Sequence, residues 1–465
     1  MSEDKKDPRR EALFYEPKTG FDTLADGQWD KALAFARDYR AYLDAAKTER
    51  EATAEAVRLA EARGFVPYAR GTALKPGDKV YRINRNKAVT LAVIGKRPLA
   101  EGLRIVAAHV DAPRLDLKPM PLYEDGELAL LKTHYYGGIR KYHWLALPLE
   151  LRGVIVKADG TAVSVSIGGA PEEPVLVITD LLPHLAADQV KKNVSEAFPG
   201  ENLNAIIGHK PDAAEGAKRI KLAVLELLHN KYGVTEADFQ SAELSLVPAG
   251  SARDVGLDGA LLGGYGHDDR VCGYTALRGL FDLDGAPTYT SVCMLADKEE
   301  IGSEGVTGMR SAAFDTFIAD LCDAQNTPLR VCFENSLCLS ADVCNAFDPN
   351  FPEVSDKRNN ARLGFGVGLM KYTGRGGKGG SSDASAETAA KVRGLLERKG
   401  ARYQFGELGK VDQGGGGTVA VYMAQRNIEV LDAGVPVLSM HSPFEVVSKL
   451  DVYMTYLACL AVYEG

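Results

Sequence analysis

The stretch "TYTSVCMLADKEEIG" (residues 288–302) begins as an apolar run and ends in a group of carboxylates. Its first nine residues are mostly β-branched, aromatic or apolar, which predicts a buried β-strand. Three carboxylates then follow within four positions, at Asp297, Glu299 and Glu300. Charges at the end of a buried strand are costly unless they meet partners, so two interpretations compete. Either the carboxylates lie in a solvated turn, or they belong to a site that supplies those partners.

Strands and helices alternate through much of the chain around this stretch. Residues 29–63 carry apolar residues at helical spacing and end at Gly64, which predicts two helices. Residues 88–96 and 103–110 are predicted strands, and strand-then-helix units return after residue 257. This alternation predicts an α/β fold with a doubly wound mixed sheet, largely parallel, and helices on both faces.

A middle region interrupts this pattern. "VIVKADGTAVSVSIGG" (residues 154–169) alternates apolar and polar residues around an Asp-Gly turn, which predicts a β-hairpin, and residues 212–233 predict a helix. A chain of 465 residues is too long for one ordinary hydrophobic core. We therefore predict a principal domain in two parts with a β-rich domain inserted between them: residues 1–112 and 248–465 for the principal domain, and residues 113–247 for the insert.

Composition limits the classes of function. The apolar share of 45% and the charged share of 25% are typical of a soluble globular protein. The formal net charge of −8 argues against nucleic acid or an anionic membrane as a partner. The first residues, "MSEDKKDPRREALF", lack the apolar segment of a signal peptide, and no window approaches 18 uninterrupted apolar residues, so we expect neither a signal peptide nor a membrane span. Seven cysteines without CxxC spacing indicate buried free thiols, and we expect a cytoplasmic protein.

Several polar residues stand where predicted strands end or a predicted helix begins. In an open α/β sheet, ligands collect at the carboxyl ends of the strands, so these residues are expected to converge. They comprise two imidazoles and three carboxylates: His109, Asp268, Glu300, Asp342 and His441. Nitrogen and oxygen donors without a thiolate suit Zn²⁺, with Co²⁺ or Mn²⁺ as alternatives.

Five donors are too many for one open tetrahedral site, but they fit two metal ions that share a carboxylate. We assign one histidine to each ion, Asp268 as the bridge, and the other two carboxylates as terminal ligands. Such ions lower the pKa of a bound water molecule to ~7, and the released proton needs an acceptor. Glu299, next to a ligand, is predicted to be this general base. Asp111 is placed to accept a hydrogen bond from the ring of His109.

The individual pieces of this pattern have structural explanations too. A single histidine at a strand end is more often structural, and a pair of aspartates is more often a turn or a helix cap. The order His, Asp, Glu-Glu, Asp, His, in which every member flanks an apolar strand or helix, is much harder to obtain by chance. The complete set therefore favours a metal site.

These motifs resemble those of the aspartyl aminopeptidase and aminopeptidase I family of dinuclear zinc exopeptidases. The resemblance covers nearly the whole chain and is carried by six specific segments: "AAHVDAPRLDLKP", "THYYGGIRKYHW", "GHDDRVC", "DKEEIGSEG", "SADV" and "MHSP". The second segment is similar to the bacterial aminopeptidase I branch. The resemblance implies the zinc exopeptidase type of fold and release of the N-terminal amino acid from peptide substrates. It assigns the same five ligands and the same base, Glu299.

The resemblance implies further features. The insert would be a dimerisation domain, and dimers would form a tetrahedral dodecamer with active sites facing an inner chamber. A cis peptide bond is expected between Asp268 and Asp269. Lys371, which follows an apolar strand, matches a lysine that meets the substrate side chain in relatives that prefer acidic residues. His184 is the candidate for a histidine that the insert lends to a neighbouring subunit's active site.

Substrate choice and reaction type leave alternatives open. If Lys371 reaches the first side-chain pocket, its ammonium group favours Asp or Glu there, and we expect a weak preference for acidic N-terminal residues. If Lys371 points away, neutral residues such as Leu are accepted. A carboxypeptidase or deacylase could use the same two-zinc plan. A catalytically inactive binding protein is disfavoured because Glu299 and all five ligands are present.

A nucleotide-binding loop is excluded for "GRGGKGGSS" (residues 374–382). A P-loop requires Gly where this chain has Tyr372, and it requires Ser or Thr where this chain has Gly379. A flexible surface loop is the simpler interpretation.

Overall fold

The computed structural model describes residues 8–465, so the N-terminal expectation made above lies partly outside the described residues. Within this range the α-helices are α1 (Pro8–Leu13), α2 (Gln28–Ala45), α3 (Glu49–Glu61), α4 (Val194–Ala197), α5 (Arg219–Tyr232), α6 (His267–Phe281), α7 (Ala313–Asp323), α8 (Leu329–Glu334), α9 (Ala386–Lys399), α10 (Ala420–Ala424) and α11 (Lys449–Glu464).

The strands of the same range are β1 (Val66–Pro67), β2 (Lys79–Asn84), β3 (Ala88–Val93), β4 (Leu103–His109), β5 (Arg114–Asp125), β6 (Leu128–Tyr136), β7 (Leu149–Val156), β8 (Ala162–Ile167), β9 (Ala205–Gly208), β10 (Ala242–Pro248), β11 (Arg253–Val255), β12 (Leu261–Gly264), β13 (Thr290–Ala296), β14 (Leu337–Ser340), β15 (Cys344–Asn345), β16 (Val367–Met370), β17 (Tyr403–Phe405), β18 (Glu429–Gly434), β19 (Pro436–Leu438) and β20 (Glu445–Ser448).

The main sheet has nine strands in the order β1-β2-β3-β13-β4-β14-β18-β16-β17. Its central strands β13, β4, β14 and β18 run parallel, whereas β2–β3, β3–β13 and β18–β16 are antiparallel. Side chains alternate between the faces of a strand, so Val106 and Ala108 of β4 join one core, with α2, α3, α6, α9 and α11. Ile105 and Ala107 join a second core on the other face, with α7, α8 and α10. The predicted mixed α/β sheet with helices on both faces is confirmed.

A second sheet is antiparallel throughout, in the order β8-β7-β10-β5-β6-β9. Strands β7 and β8 form the predicted hairpin around the Asp159–Gly160 turn. The helix predicted over residues 212–233 begins only at Arg219. The earlier start was wrong because Gly216 and Lys218 adopt positive φ angles of 117° and 60°, which a right-handed helix does not accommodate.

The two helices predicted over residues 29–63 are α2 and α3, and the sequence between them explains the break. The Thr48 hydroxyl accepts a hydrogen bond from the amide of Glu51 (3.3 Å), and the Glu51 carboxylate accepts one from the amide of Thr48 (3.1 Å). This reciprocal capping box begins α3.

A third sheet, in the order β11-β12-β20-β19-β15, carries the turn that contains His441 between β19 and β20. All seven cysteines are buried and free, as predicted. Among residues 8–465, no helix combines the length and the apolar character that crossing a membrane would require.

Candidate metal centre

Three strands of the main sheet end side by side. His109, the last residue of β4, pairs with Ala296, the last residue of β13. On the other side of β4, Ser340 at the end of β14 pairs with Ala107. The segments that follow these parallel strands therefore leave the sheet at the same edge.

The five predicted ligands meet at this edge. Glu300 and Asp342 follow β13 and β14, Asp268 lies in the first turn of α6, and His441 lies in the turn between β19 and β20. The side chains of His109, Asp268 and Glu300 are at most 4% exposed, whereas that of His441 is 35% exposed. His441 therefore marks the side on which the cluster is open to solvent.

Asp268 lies between the two imidazoles. Its Oδ1 is 3.2 Å from Nε2 of His109, and its Oδ2 is 3.2 Å from Nε2 of His441. The Nε2 atom of His109 also lies 3.8 Å from Oδ1 of Asp342, and the Nε2 atom of His441 lies 3.6 Å from Oε2 of Glu300. The five side chains thus form two halves, each with one histidine and one carboxylate, joined by Asp268.

The other ring nitrogen of each histidine is occupied by an oxygen. Nδ1 of His109 lies 3.1 Å from the carbonyl oxygen and 3.2 Å from Oδ1 of Asp111. Nδ1 of His441 lies 2.9 Å from the carbonyl oxygen of Gly138. A proton on Nδ1 would make both contacts hydrogen bonds and leave both Nε2 atoms free for a metal, the arrangement usual for metal-binding histidines.

Asp111 also holds the Glu-Glu pair. The backbone amides of Glu299 and Glu300 donate to Oδ1 and Oδ2 of Asp111, at 3.1 and 3.2 Å. The two glutamates lie in a short 3₁₀ turn. Their side chains differ in surroundings: Glu300 is close to His441, whereas Glu299 forms a group with His109 and Asp342.

Burial and crowding shift the pKa values of these groups. Burial, together with the charge of Asp342, raises the pKa of Glu299 to about 8. Burial alone would raise the pKa of Asp268, but hydrogen bonds from His109 and His441 hold it well below its usual range. Burial alone would lower the pKa of His441, but the contact with Asp268 raises it to about 11. The cluster therefore creates a negative field that favours bound cations.

The donor set fits a divalent metal. Within the described part of the chain, Oε1 of Glu300 and Oδ1 of Asp269 are buried without a hydrogen-bond partner, which is costly unless a cation meets them. Two of the donor groups whose ligand atoms lie within 4.8 Å of one another are His109 with Glu299 and Asp342, and His109 with Asp268 and Glu300. Imidazole and carboxylate donors of this kind suit zinc.

The comparison with known families identifies the chain. The profile of the family described as aminopeptidase I zinc metalloprotease (M18) matches residues 42–463. This chain belongs to the M18 family. A probable M18 family aminopeptidase 1 of Clostridium acetobutylicum is 46% identical to it over 452 residues, which cover 95% of this chain and 97% of the relative.

Solved structures agree with this assignment. The crystal structure of an M18 family aminopeptidase from Thermotoga maritima matches with a TM-score of 0.93 and 44% identity, covering 97% of this chain and 100% of that one. The mApe1 dodecamer of S. cerevisiae, at 20% identity, shares the fold, with a TM-score of 0.76 over 92% of this chain and 96% of that one. The predicted family resemblance and the zinc exopeptidase type of fold are confirmed. The protein is a zinc metallopeptidase that acts at the N-terminus of peptides.

Two further residues belong to this M18 centre: Glu445, which the sequence analysis missed, and Asp269, which it expected only as the cis-peptide partner of Asp268. Glu445, 1% exposed, accepts hydrogen bonds from the backbone amides of both His441 (2.7 Å) and Asp268 (3.0 Å). Asp269 accepts one from the amide of His109 (3.2 Å), and the peptide bond between Asp268 and Asp269 is cis, as the resemblance implied. The one feature of the sequence that could have indicated Glu445 is its position as a carboxylate at the start of the apolar strand β20.

The two predicted substrate residues lie outside the cluster. Lys371 follows β16, is exposed, and makes no side-chain hydrogen bond or ion pair among the contacts described for residues 8–465. Since β16 runs antiparallel to β18, with Met370 opposite Asp432, the chain at Lys371 is heading away from the edge that carries the cluster. His184 is exposed in a short 3₁₀ turn of the region between β8 and β9. Their roles stay predictions.

Proposed function

We propose that this M18 aminopeptidase works with two zinc ions per subunit, held by His109 and Asp342 on one side, by His441 and Glu300 on the other, and by Asp268 between them. The observation that carries this proposal is the position of Asp268, whose two oxygens lie at equal 3.2 Å distances from the two Nε2 atoms. Bound zinc supplies a Lewis acid that polarises the scissile carbonyl and lowers the pKa of a water molecule. Co²⁺ and Mn²⁺ would suit the same donors.

Glu299 is the general base of this proposal. It belongs to the group formed with His109 and Asp342, while its neighbour Glu300 faces His441. Its carboxylate accepts the proton of the attacking water. Asp111 is the positioning residue, because it orients the ring of His109 and fixes the backbone of both glutamates.

The substrate is a peptide with a free N-terminal amine. We propose a weak preference for acidic N-terminal residues, supported by the exposed ammonium group of Lys371, for which residues 8–465 supply no side-chain partner. The direction of the chain at Lys371 favours the alternative, a pocket that accepts neutral residues such as Leu. The two alternatives differ in whether the Lys371 side chain turns back towards the pocket.

The assembly is a homo-oligomer, proposed to be a tetrahedral dodecamer of dimers in the cytoplasm. The dodecamer of the yeast relative named above supports this proposal. The second sheet, within residues 113–247, would be the dimerisation domain, and His184 would reach a neighbouring subunit's active site. Light scattering tests this part: we expect a particle far larger than the 50.0 kDa chain, and a fully active monomer would contradict it.

The proposed reaction is tested by hydrolysis of paired substrates. Chelator-treated protein is reloaded with zinc or cobalt and offered amino-acid anilides and the same anilides with an acylated amine. We expect hydrolysis of the free-amine anilides alone, and loss of that activity in the chelated sample. Preferential cleavage of the acylated compounds would support a deacylase.

A further inference from the structure

Three consecutive residues at the end of β6, a strand of the second sheet, touch the metal centre. They are Tyr136, the last residue of β6, and the two glycines that follow it, Gly137 and Gly138, here called the Tyr136–Gly138 segment. Strand β6 pairs with β5 and β9 and belongs to neither of the sheets that carry the five proposed ligands. The segment therefore brings a third structural unit to the cluster.

Tyr136 completes the contacts of Asp111. Its hydroxyl donates to Oδ2 of Asp111 at 2.8 Å, and the tyrosine is 8% exposed. The same carboxylate accepts hydrogen bonds from the backbone amides of Glu299 and Glu300, and it contacts the ring of His109. Removal of the hydroxyl would leave a buried Asp111 oxygen with one partner fewer, so the orientation of Asp111 depends on Tyr136.

The two glycines contact the other half of the cluster. The carbonyl oxygen of Gly138 lies 2.9 Å from Nδ1 of His441, the contact that turns Nε2 towards Asp268. Gly137 has φ of 78°, and a Cβ at this position would lie 3.2 Å from both Cβ and Oε2 of Glu300. A side chain here would be strained and would press on Glu300.

The ring of Tyr136 packs against one charged side chain, Arg114 of β5. The guanidinium group of Arg114 lies 3.9 Å from the ring centroid. Arg114 donates from Nε to Asp116 at 2.7 Å and forms an ion pair with Glu49 of α3 at 3.2 Å. Glu49 in turn lies 3.1 Å from the ammonium group of Lys87. Through Arg114, this network ties the Tyr136 ring to α3 and to Lys87.

We propose that the Tyr136–Gly138 segment is the positioning element of the metal centre, through which the second sheet sets zinc affinity and turnover. The inference rests on the proposed two-zinc function and deepens it. Tyr136 orients Asp111 and through it the base, Gly138 orients His441, and Gly137 leaves room for Glu300. The second sheet thus contributes to the active site of its own subunit in addition to any role in assembly.

The test is Tyr136→Phe, with Tyr135→Phe as the matched control, since Tyr135 is the adjacent tyrosine and is 43% exposed. Zinc affinity is measured by competition with a chromogenic chelator, alongside kcat, KM and the Tm of the metal-free protein. Loss of an outer contact to metal ligands costs roughly 10–100-fold in affinity or activity. We expect a loss of this size in zinc affinity or kcat for Tyr136→Phe, with little change in KM and metal-free Tm, and wild-type values for Tyr135→Phe.

Gly137→Ala is the second variant, and we expect it to weaken zinc binding through the crowding of Glu300. The inference is overturned if Tyr136→Phe matches Tyr135→Phe in both zinc affinity and kcat, or if only its metal-free Tm falls. If the wild-type protein binds zinc but hydrolyses no free-amine substrate, the proposed function fails. Chelator competition then still decides the role of the Tyr136–Gly138 segment.

Discussion

The metal cluster and the two predicted substrate residues differ in how firmly the fold holds them. Asp111, which lies beside the cluster, accepts hydrogen bonds from two backbone amides and from the Tyr136 hydroxyl. Its carboxylate also contacts the ring of His109. Lys371 and His184, by contrast, are exposed, and no side-chain partner is described for either of them within residues 8–465. Buried polar groups are costly unless they are satisfied, so the contacts of Asp111 hold it in one orientation, whereas the exposed residues can move or change without that cost. The residues proposed for chemistry are thus held at the sheet edge, whereas the two residues proposed for substrate choice are exposed.

The largest expected effect is that of Glu299→Gln, which tests the chemical half of this contrast. Glutamine cannot accept the proton, and loss of a general base typically lowers kcat by about 10²–10⁴-fold. The five proposed ligands are unchanged, so zinc content by elemental analysis should equal that of the wild type. Asp315→Asn, a change on the outer helix α7, is the control for non-specific effects. Loss of zinc in Glu299→Gln would mean that Glu299 and Glu300 exchange roles.

Removal of metal should make the stability of the folded chain depend strongly on pH. In the metal-free chain, burial and the charge of Asp342 raise the pKa of Glu299 to about 8. Burial and the charge of Asp268 raise the pKa of Glu445 to about 8 as well. Burial raises the pKa of Asp432 to about 7. Unfolding returns these carboxyls to their ordinary pKa values near 4, so between pH 5 and 8 the folded chain binds more protons than the unfolded chain. The free energy of unfolding must then fall as pH rises, by about 1.4 kcal/mol per pH unit for each such proton.

Chemical denaturation of chelated protein at pH 5, 6, 7 and 8 measures this slope. Zinc-loaded protein is the control, and it should be more stable at each pH at which zinc binds, because zinc binds the folded chain preferentially. Stability of the metal-free protein that rises from pH 5 to 8 would contradict the raised pKa values.

A smaller effect is expected for Lys371→Met, which tests the substrate half of the contrast. If the ammonium group selects acidic residues, the ratio of kcat/KM for Asp and Leu anilides should fall about tenfold, the size of a ~1.4 kcal/mol interaction. Lys391→Met, on the exposed face of α9, is the matched control. An unchanged ratio in Lys371→Met would remove the sequence support for acidic preference and leave the neutral alternative.

The smallest effect is expected for His184→Ala. Should the insert lend this histidine to a neighbouring subunit, KM should rise a few-fold while kcat and zinc content stay at wild-type values. His209→Ala, another exposed histidine of the second sheet's region, is the control. Identical kinetics for the two variants would show that His184 has no role in a neighbouring subunit's active site.

The sequence predicted the parts of the centre that lie at the ends of regular strands. His109, Glu300 and Asp342 follow apolar runs whose parallel pairing brings their ends together, so strand periodicity alone suggests that they meet. The role of Glu445 depends instead on the backbone amide of Asp268, 177 residues away in the chain, and that of Tyr136 on the carboxylate of Asp111, 25 residues away. No local pattern encodes that contact.

The start of α5 shows the same limit at the level of secondary structure. Composition over residues 212–218 is compatible with a helix, but Gly216 and Lys218 take positive φ angles in the connection to β9. The path of the chain outweighs helix propensity there. Prediction thus succeeded where periodic burial dominates and failed where individual long-range contacts or backbone angles decide.

The most direct test of the central claim is the position of zinc itself. Crystals of the zinc-loaded protein measured at the zinc absorption edge should give two anomalous peaks per subunit. One peak should lie between His109 and Asp342, the other between His441 and Glu300, and each should contact one oxygen of Asp268. A single peak, or two peaks that do not share Asp268, would contradict the two-zinc account of this aminopeptidase.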